Sequence, residues 1–319
     1  MKLASIDVGT NSVKLLVADV ENQQISNILA ERVEITRLGK GVDKTGELLQ
    51  EAMDGTLRVI EDFKRDAESL EAREIIAVAT SAMREARNRD AFIQKVMDRT
   101  GIKLQVISGD EEAELSFAGV CSDPLLRSKR LIIADVGGGS SEFIVGQDGK
   151  IDNRFSINTG CVRLTEEFLH SDPIDPTELQ MALQNIISSL YSRLIEIPMD
   201  DRYLVGVGGT ITALAAIHQN MLAPASSAIH RYVLLRDEII RLLTYLRRMT
   251  LEDRKKVPGL PPERADIIVA GAAVFSAILD ILRVKEITVS ARGLRYGVLL
   301  RHLRHSSFLE KSFQALEKA

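Results

Sequence analysis

The sequence predicts an α/β fold of two related lobes, each a mixed sheet flanked by helices, facing one another across a cleft. Three observations predict it. Asp7-Val8-Gly9-Thr10-Asn11-Ser12 and Asp135-Val136-Gly137-Gly138-Gly139-Ser140 are near copies of one another. Each follows one apolar run and precedes another, so each reads as strand, tight turn, strand with an aspartate at the mouth of the turn. Beyond each copy, strands alternate with helical periodicity, and the hairpins make the sheets mixed rather than purely parallel. Glycines in such turns let the backbone approach an anion, while Ser, Thr and backbone N–H groups supply donors. An aspartate only accepts, so a phosphate beside it requires a cation between them. Two such loops suggest two lobes facing each other across a phosphate and a metal.

The first lobe, 1–124, opens with expected strands near 2–7, 12–19 and 25–35. A long amphipathic helix follows near 47–69, then a strand at 75–79, a helical stretch over 81–99 and a strand at 103–107. The acidic segment 110–114 starts a helix, because acids suit the positive end of the helix dipole. Pro124 interrupts the pattern, and the lobe boundary is placed within 122–128. The second lobe, 125–299, repeats the order with strands near 130–135, 141–146 and 150–157 and a helix from about 162. A helix after Pro173 and Pro176 runs to about 193. The apolar run 203–207 is a buried strand leading into Gly208-Gly209-Thr210 and a helix. Helices near 236–249 and 262–282 and a strand at 286–290 complete it. The tail, roughly 293–319, is expected to be helical, with 300–319 returning to the first lobe.

The chain has 319 residues, enough for two cores. Its 45% hydrophobic and 27% charged content is that of an ordinary globular protein. A net charge of -4 gives no overall field for nucleic acid or anionic membrane, so a polyanionic substrate needs a local basic cluster. The longest apolar run, 267–279, is bounded by Asp266 and Asp280 and is too short for the roughly 20 residues that span a bilayer; a buried core helix is the reading. A strand from residue 2 leaves no room for a secretory signal. Cys121 and Cys161 lie far apart without CxxC spacing, which points to a reducing compartment without disulfides or a zinc site. A cytoplasmic location is expected.

Further motifs accompany the two loops: Ala79-Thr80-Ser81-Ala82-Met83-Arg84, Gly109-Asp110-Glu111-Glu112-Ala113, Glu142, Gly160-Cys161-Val162-Arg163, Val207-Gly208-Gly209-Thr210, Pro262-Glu263-Arg264-Ala265-Asp266, and Ser290 with Gly293-Leu294-Arg295. Together they make the chain resemble the actin-like (ribonuclease H-like) ATPase superfamily and, within it, the exopolyphosphatase and guanosine pentaphosphate phosphohydrolase family. One such loop is weak evidence; eight motifs in family order are strong. The resemblance implies phosphoanhydride hydrolysis in the interlobe cleft. It also implies a short form without the HD-like carboxy-terminal domain of longer relatives, and hence limited processivity on very long chains. Related proteins are often dimers, so a homodimer is possible.

That chemistry needs a cradled phosphate chain, neutralised charge and an oriented water. Gly9, Gly137, Gly138, Gly139, Gly208 and Gly209, with Thr10, Asn11, Ser12, Ser140 and Thr210, are the candidate cradle. Taken singly, an Asp-Val-Gly turn is an ordinary hairpin connection; two in matching contexts plus a glycine turn opening a helix favour phosphate binding. By resemblance Glu112 activates the water, although its neighbours could make it part of a solvated first helical turn. Glu111 and Glu112 face directions about 100° apart, so only one can enter the cleft. By resemblance Asp135 and Glu142 help hold a divalent ion, with Asp7 facing them. Mg2+ is expected on charge grounds as well, another divalent ion or K+ being possible. Asp7 and Asp135 could instead cap their own turns. Arg84, beyond Thr80 and Ser81, is the candidate phosphate clamp because arginine forks onto phosphate oxygens. Arg87 and Arg89 are surface residues or an extended basic track, and Arg264 and Arg295 are further candidates. Many relatives carry glutamate where this chain has Tyr296. The five histidines show no metal-ligand spacing.

The expected activity is release of terminal orthophosphate from inorganic polyphosphate. Guanosine pentaphosphate is the alternative substrate, since the motifs do not separate the two. An ATP-dependent kinase, with Gly208-Gly209-Thr210 as an adenosine loop, and a guanosine tetraphosphate-binding regulator are the rivals from other classes.

Overall fold

A computed structural model describes residues 1–22, 24–197, 202–223 and 225–304. Three antiparallel strands open the chain, β1 (Lys2–Val8), β2 (Ser12–Glu21) and β3 (Gln24–Ile35), with β1 and β2 buried over almost their whole length. After α1 (Val42–Thr45) comes α2 (Gln50–Ser69), whose Met53, Leu57, Ile60 and Phe63 form one buried face. Next are β4 (Glu74–Ala79), α3 (Ser81–Glu85), α4 (Arg89–Thr100), β5 (Leu104–Val106), α5 (Gly109–Val120) and α6 (Pro124–Arg127). The first sheet has the order β3-β2-β1-β4-β5, with β4 and β5 parallel to β1.

The second half repeats this plan. β6 (Arg130–Val136), β7 (Ser141–Gln147) and β8 (Lys150–Ile157) are antiparallel neighbours, followed by α7 (Cys161–Phe168) and α8 (Pro176–Leu194). Then come β9 (Arg202–Val207), α9 (Gly209–His218), α10 (Ser226–Ile229), β10 (Val233–Leu235), α11 (Arg236–Arg247), α12 (Leu251–Arg254), α13 (Ile268–Leu282), β11 (Glu286–Val289) and a final helix α14 over 294–304. The order β10-β11-β9-β6-β7-β8 mirrors the first sheet with one extra edge strand.

The expected helix over 81–99 is two helices. Ala86 is extended, and the Asn88 amide bonds both Leu48 N–H and Leu48 C=O, which anchors the break. The expected helix over 262–282 is also divided: Pro262–Arg264 form a 3-10 turn, and the α-helix begins at Ile268. β10 was not anticipated; three residues are too few to carry a periodic signal. The apolar run 267–279 is core, since α13 is buried on all sides by α7, α8, α9 and α11. Among the described residues, no helix is long and apolar enough to cross a membrane. The expected tail helix over 305–319 lies outside the described residues.

The chain passes between the sheets twice. Residues 121–129 lead from α5 to β6, and 290–293 lead from β11 to α14, whose Tyr296, Leu299 and Leu303 pack on Leu3, Leu16 and Ala18 of the first sheet. α5 touches both sheets: Ala113, Phe117 and Val120 lie with Leu131, Ile133 and Ile144, and Leu115 lies with Val78 and Ile107.

Candidate active site

The duplicated loops close in the same way. Gly9 N–H donates to Ser12 C=O and Gly137 N–H to Ser140 C=O, both at 2.9 Å. They face each other across a cavity of about 280 Å3, and Gly139 lies against Thr10 and Ser81 of the opposite half. Asp7, Gly9, Thr10, Asn11, Ser12, Thr80, Ser81, Glu112, Asp135, Gly137 to Ser140, Gly208 to Thr210, Arg264 and Arg295 all line this cavity. Arg84 and Glu142 stand behind the wall rather than in it. Asn11 Nδ2 is buried without a hydrogen-bond partner among the described residues, an unused donor at the cavity wall. Gly208, at φ 99° and ψ 170°, has a conformation open in practice only to glycine, and a Cβ there would meet Val136 O at 2.9 Å and Asp135 Oδ1 at 3.1 Å.

The acidic start of α5 divides its labour. Ser108 and Glu111 form a capping box, so Glu111 is tied to its own helix end. Asp110 and Glu114 face Arg154 on the surface. Glu112 alone of the four turns inward, where Arg84 Nη1 donates to its Oε2 at 2.6 Å and to Ile107 C=O at 3.2 Å. Burial pushes the Glu112 carboxyl up to about 7 despite Arg84, and the nearby Asp135 and Asp7 add to the rise. Burial raises Asp135, with Asp7 adding to the rise, Lys14 opposing it and Ser116 Oγ donating to the carboxylate at 2.6 Å. Glu142 is raised well above the ordinary range by burial, Glu112 and Asp135, and it accepts from Ser156 Oγ at 2.8 Å.

The two halves differ at one decisive pair. In the hairpin registers Asp7 lies opposite Lys14, and Asp135 lies opposite Glu142. The first pair is an ion pair at 3.0 Å, and the second sets two acids side by side. Lys14, a cavity-lining cation, was not anticipated; overlaying the repeats reveals it, because it stands seven residues after Asp7 as Glu142 does after Asp135. Ser116 and Ser156, which hold the buried acids, carried no sequence signal.

Arg264 is buried with its guanidinium against Gly209 and has no hydrogen-bond or ion-pair partner among the described residues. Arg295 lines the cavity, but its guanidinium donates to Glu31 at 2.7 Å and to Leu15 C=O at 3.2 Å, and Tyr296 OH shares that glutamate. Arg87 is held by Glu47 and Thr45 C=O, and Arg89 by Arg84 C=O. Across the seam, Arg163 on α7 pairs with Asp43 at 2.7 Å and Glu85 at 3.0 Å, while Arg37 pairs with Asp266 at 3.1 Å. Among the described residues, no three His, Cys, Asp or Glu side chains form a ready-made metal cage. The donor chemistry nonetheless fits a hard cation, since the buried acids are oxygen donors whose mutual repulsion a cation relieves.

The chain belongs to the Ppx/GppA phosphatase family, whose pattern matches residues 16–306. It is 35% identical over 313 residues to "Exopolyphosphatase 2" of Mycobacterium tuberculosis, a match covering 94% of this chain and 98% of that protein. Among solved structures, an exopolyphosphatase from Cytophaga hutchinsonii superposes with a TM-score of 0.87 at 29% identity, covering 96% and 98% of the two chains. The Aquifex aeolicus Ppx/GppA family member superposes at 0.80 with 31% identity, covering 96% and 98%. The two-lobed actin-like α/β fold expected from the sequence is therefore the fold of this chain, and the chain is a hydrolase of phosphoanhydride bonds.

Proposed function

We propose that this protein is an exopolyphosphatase that releases terminal orthophosphate from inorganic polyphosphate, with Glu112 as the base that activates water. The observation that carries the reading is the placement of Glu112: buried at the cavity wall, bonded to Arg84 and raised to about 7, where a carboxylate can both take and return a proton at neutral pH. Asn11 Nδ2, the loop N–H groups, the start of α9 and Arg264 supply donors for phosphate oxygens. Arg84 holds Glu112 in place from behind the wall. Arg295, committed to Glu31, supports the wall rather than the substrate. Asp135, on the cavity wall, would hold a divalent ion, Mg2+ by charge and size, together with substrate oxygens, and Glu142 behind it would add negative charge to that seat; one or two carboxylates and phosphates are the ion's usual ligand set. When bound, that ion supplies charge neutralisation at the phosphoryl group. Asp7 is satisfied by Lys14 and faces this pair from the first half. The cytoplasm is the expected location, and neither nucleic acid nor a membrane is an expected partner.

A second reading has one observation in its favour. Beyond Gly208 the cavity continues along α9 between Ala213, Ala216, Ile229 and Pro261, an apolar compartment where a nucleobase can stack. Guanosine pentaphosphate is therefore the alternative substrate. The test is phosphate release with Mg2+ from long polyphosphate and from guanosine pentaphosphate, with Glu112→Gln in parallel. Release from polyphosphate that falls by at least about 100-fold in the variant is expected. Preferential release from the nucleotide moves the assignment, and release from neither by folded protein overturns it.

A further inference from the structure

The two chain crossings between the sheets do not run separately. Where α5 ends and α14 begins, they touch backbone to backbone: a Cβ on Gly119 would lie 2.1 Å from Gly293 O, and one on Gly297 would lie 1.9 Å from Leu115 O. Arg292 Nη1 of the second crossing donates to Ser122 Oγ of the first at 3.3 Å. One imidazole then spans both. His230 Nδ1 accepts Ala291 N–H at 3.3 Å, which leaves the ring proton on Nε2, and Nε2 donates to Asp123 Oδ2 at 2.9 Å. Asp123 caps α6 through Leu125 N–H with its other oxygen. Both side chains are largely buried, at 11% and 6% exposure, and Arg231 and Arg292 are the other charges facing the imidazole.

We infer that His230 is a positioning residue for the reaction, fixing the joint of the two crossings and through it the seat of α5 and of Glu112 in the cleft. Ala291 lines the cavity and Asp123 stands three residues after the end of α5, so loosening the imidazole frees one cavity wall and the shaft that carries the base. The inference rests on the reading of Glu112 as base. It reaches no reacting atom directly.

The test compares His230→Ala with His230→Gln, whose amide can donate to Asp123 and accept from Ala291. Amide hydrogen exchange is followed over 109–129 and 290–297, beside steady-state phosphate release from polyphosphate. In folded His230→Ala, protection over both crossings and α5 falls, and kcat drops about tenfold with KM within roughly twofold, since an ångström of misplacement suffices. His230→Gln restores both readouts. An unchanged kcat in His230→Ala, a change confined to KM, or a glutamine variant no better than alanine overturns the inference. If wild-type protein releases no phosphate, the reading of function fails on its own, and the exchange pattern over α5 still decides whether His230 holds the joint.

Discussion

Glu112 shows how much one side chain can be asked to do by its surroundings. Its folded-state pKa lies above the ordinary carboxyl value, so the folded protein holds the proton more tightly than the unfolded chain between about 4.5 and about 7. Stability from this site is complete below that window and falls as pH rises through it. Glu112→Gln is therefore expected to lose activity yet to melt higher than wild type at pH 8, with the gap shrinking towards pH 5 in parallel thermal melts. Activity should rise with pH through the region near 7 as Glu112 becomes able to accept a proton. Lys14 makes a complementary prediction: Lys14→Gln leaves Asp7 buried at 2% exposure without its cation, and a stability loss of about 3 kcal/mol is expected by chemical denaturation. The acidic run at 110–114 was legible as a helix start, but the choice of Glu112 over Glu111 needed the resemblance. Composition does not reveal which acid closes a capping box.

At the scale of elements, hairpins and their turns were legible because a strand's period and a glycine turn are local facts. The duplicated order β1-β2-β3 and β6-β7-β8 follows from them directly. What the sequence did not disclose is long-range. Arg295 meets Glu31 across 264 residues, and neither carries a mark of the other. The break at 86–88 is held by Leu48, 40 residues away from Asn88 in the chain. Gly293, in the motif before Arg295, and Gly297 beyond it are explained by the close crossing of α14 and α5. Gly297→Ala drives a Cβ into backbone, which cannot rotate away, and a loss of about 1–3 kcal/mol with a lower Tm is expected.

At the scale of the molecule, two sheets face one cavity, and Arg163 and Arg37 are among the charges that tie them across the seam. Arg163 reaches Asp43 and Glu85, and Arg37 reaches Asp266 and Glu263 C=O. Such partly exposed pairs contribute about 1 kcal/mol each at most and weaken with salt. Arg163→Ala is therefore expected to leave Tm almost unchanged while raising KM several-fold; small-angle scattering of the substrate-free protein should give a larger radius of gyration. An unaltered radius and KM would show that packing, not this arginine, holds the halves together.

The mismatch between the Asp7–Lys14 and Asp135–Glu142 pairs bears on why both halves share one chain. Two identical halves related by a dyad would present the same pair on both walls, either neutralised twice or acidic twice. Linear polyphosphate has two identical ends, so only the site can distinguish the end to be cut from the tail to be retained, and a symmetric vestibule cannot do so. Because the two halves share one chain without being identical, each hairpin carries its own sign, and the container supplies a polarity that the substrate lacks.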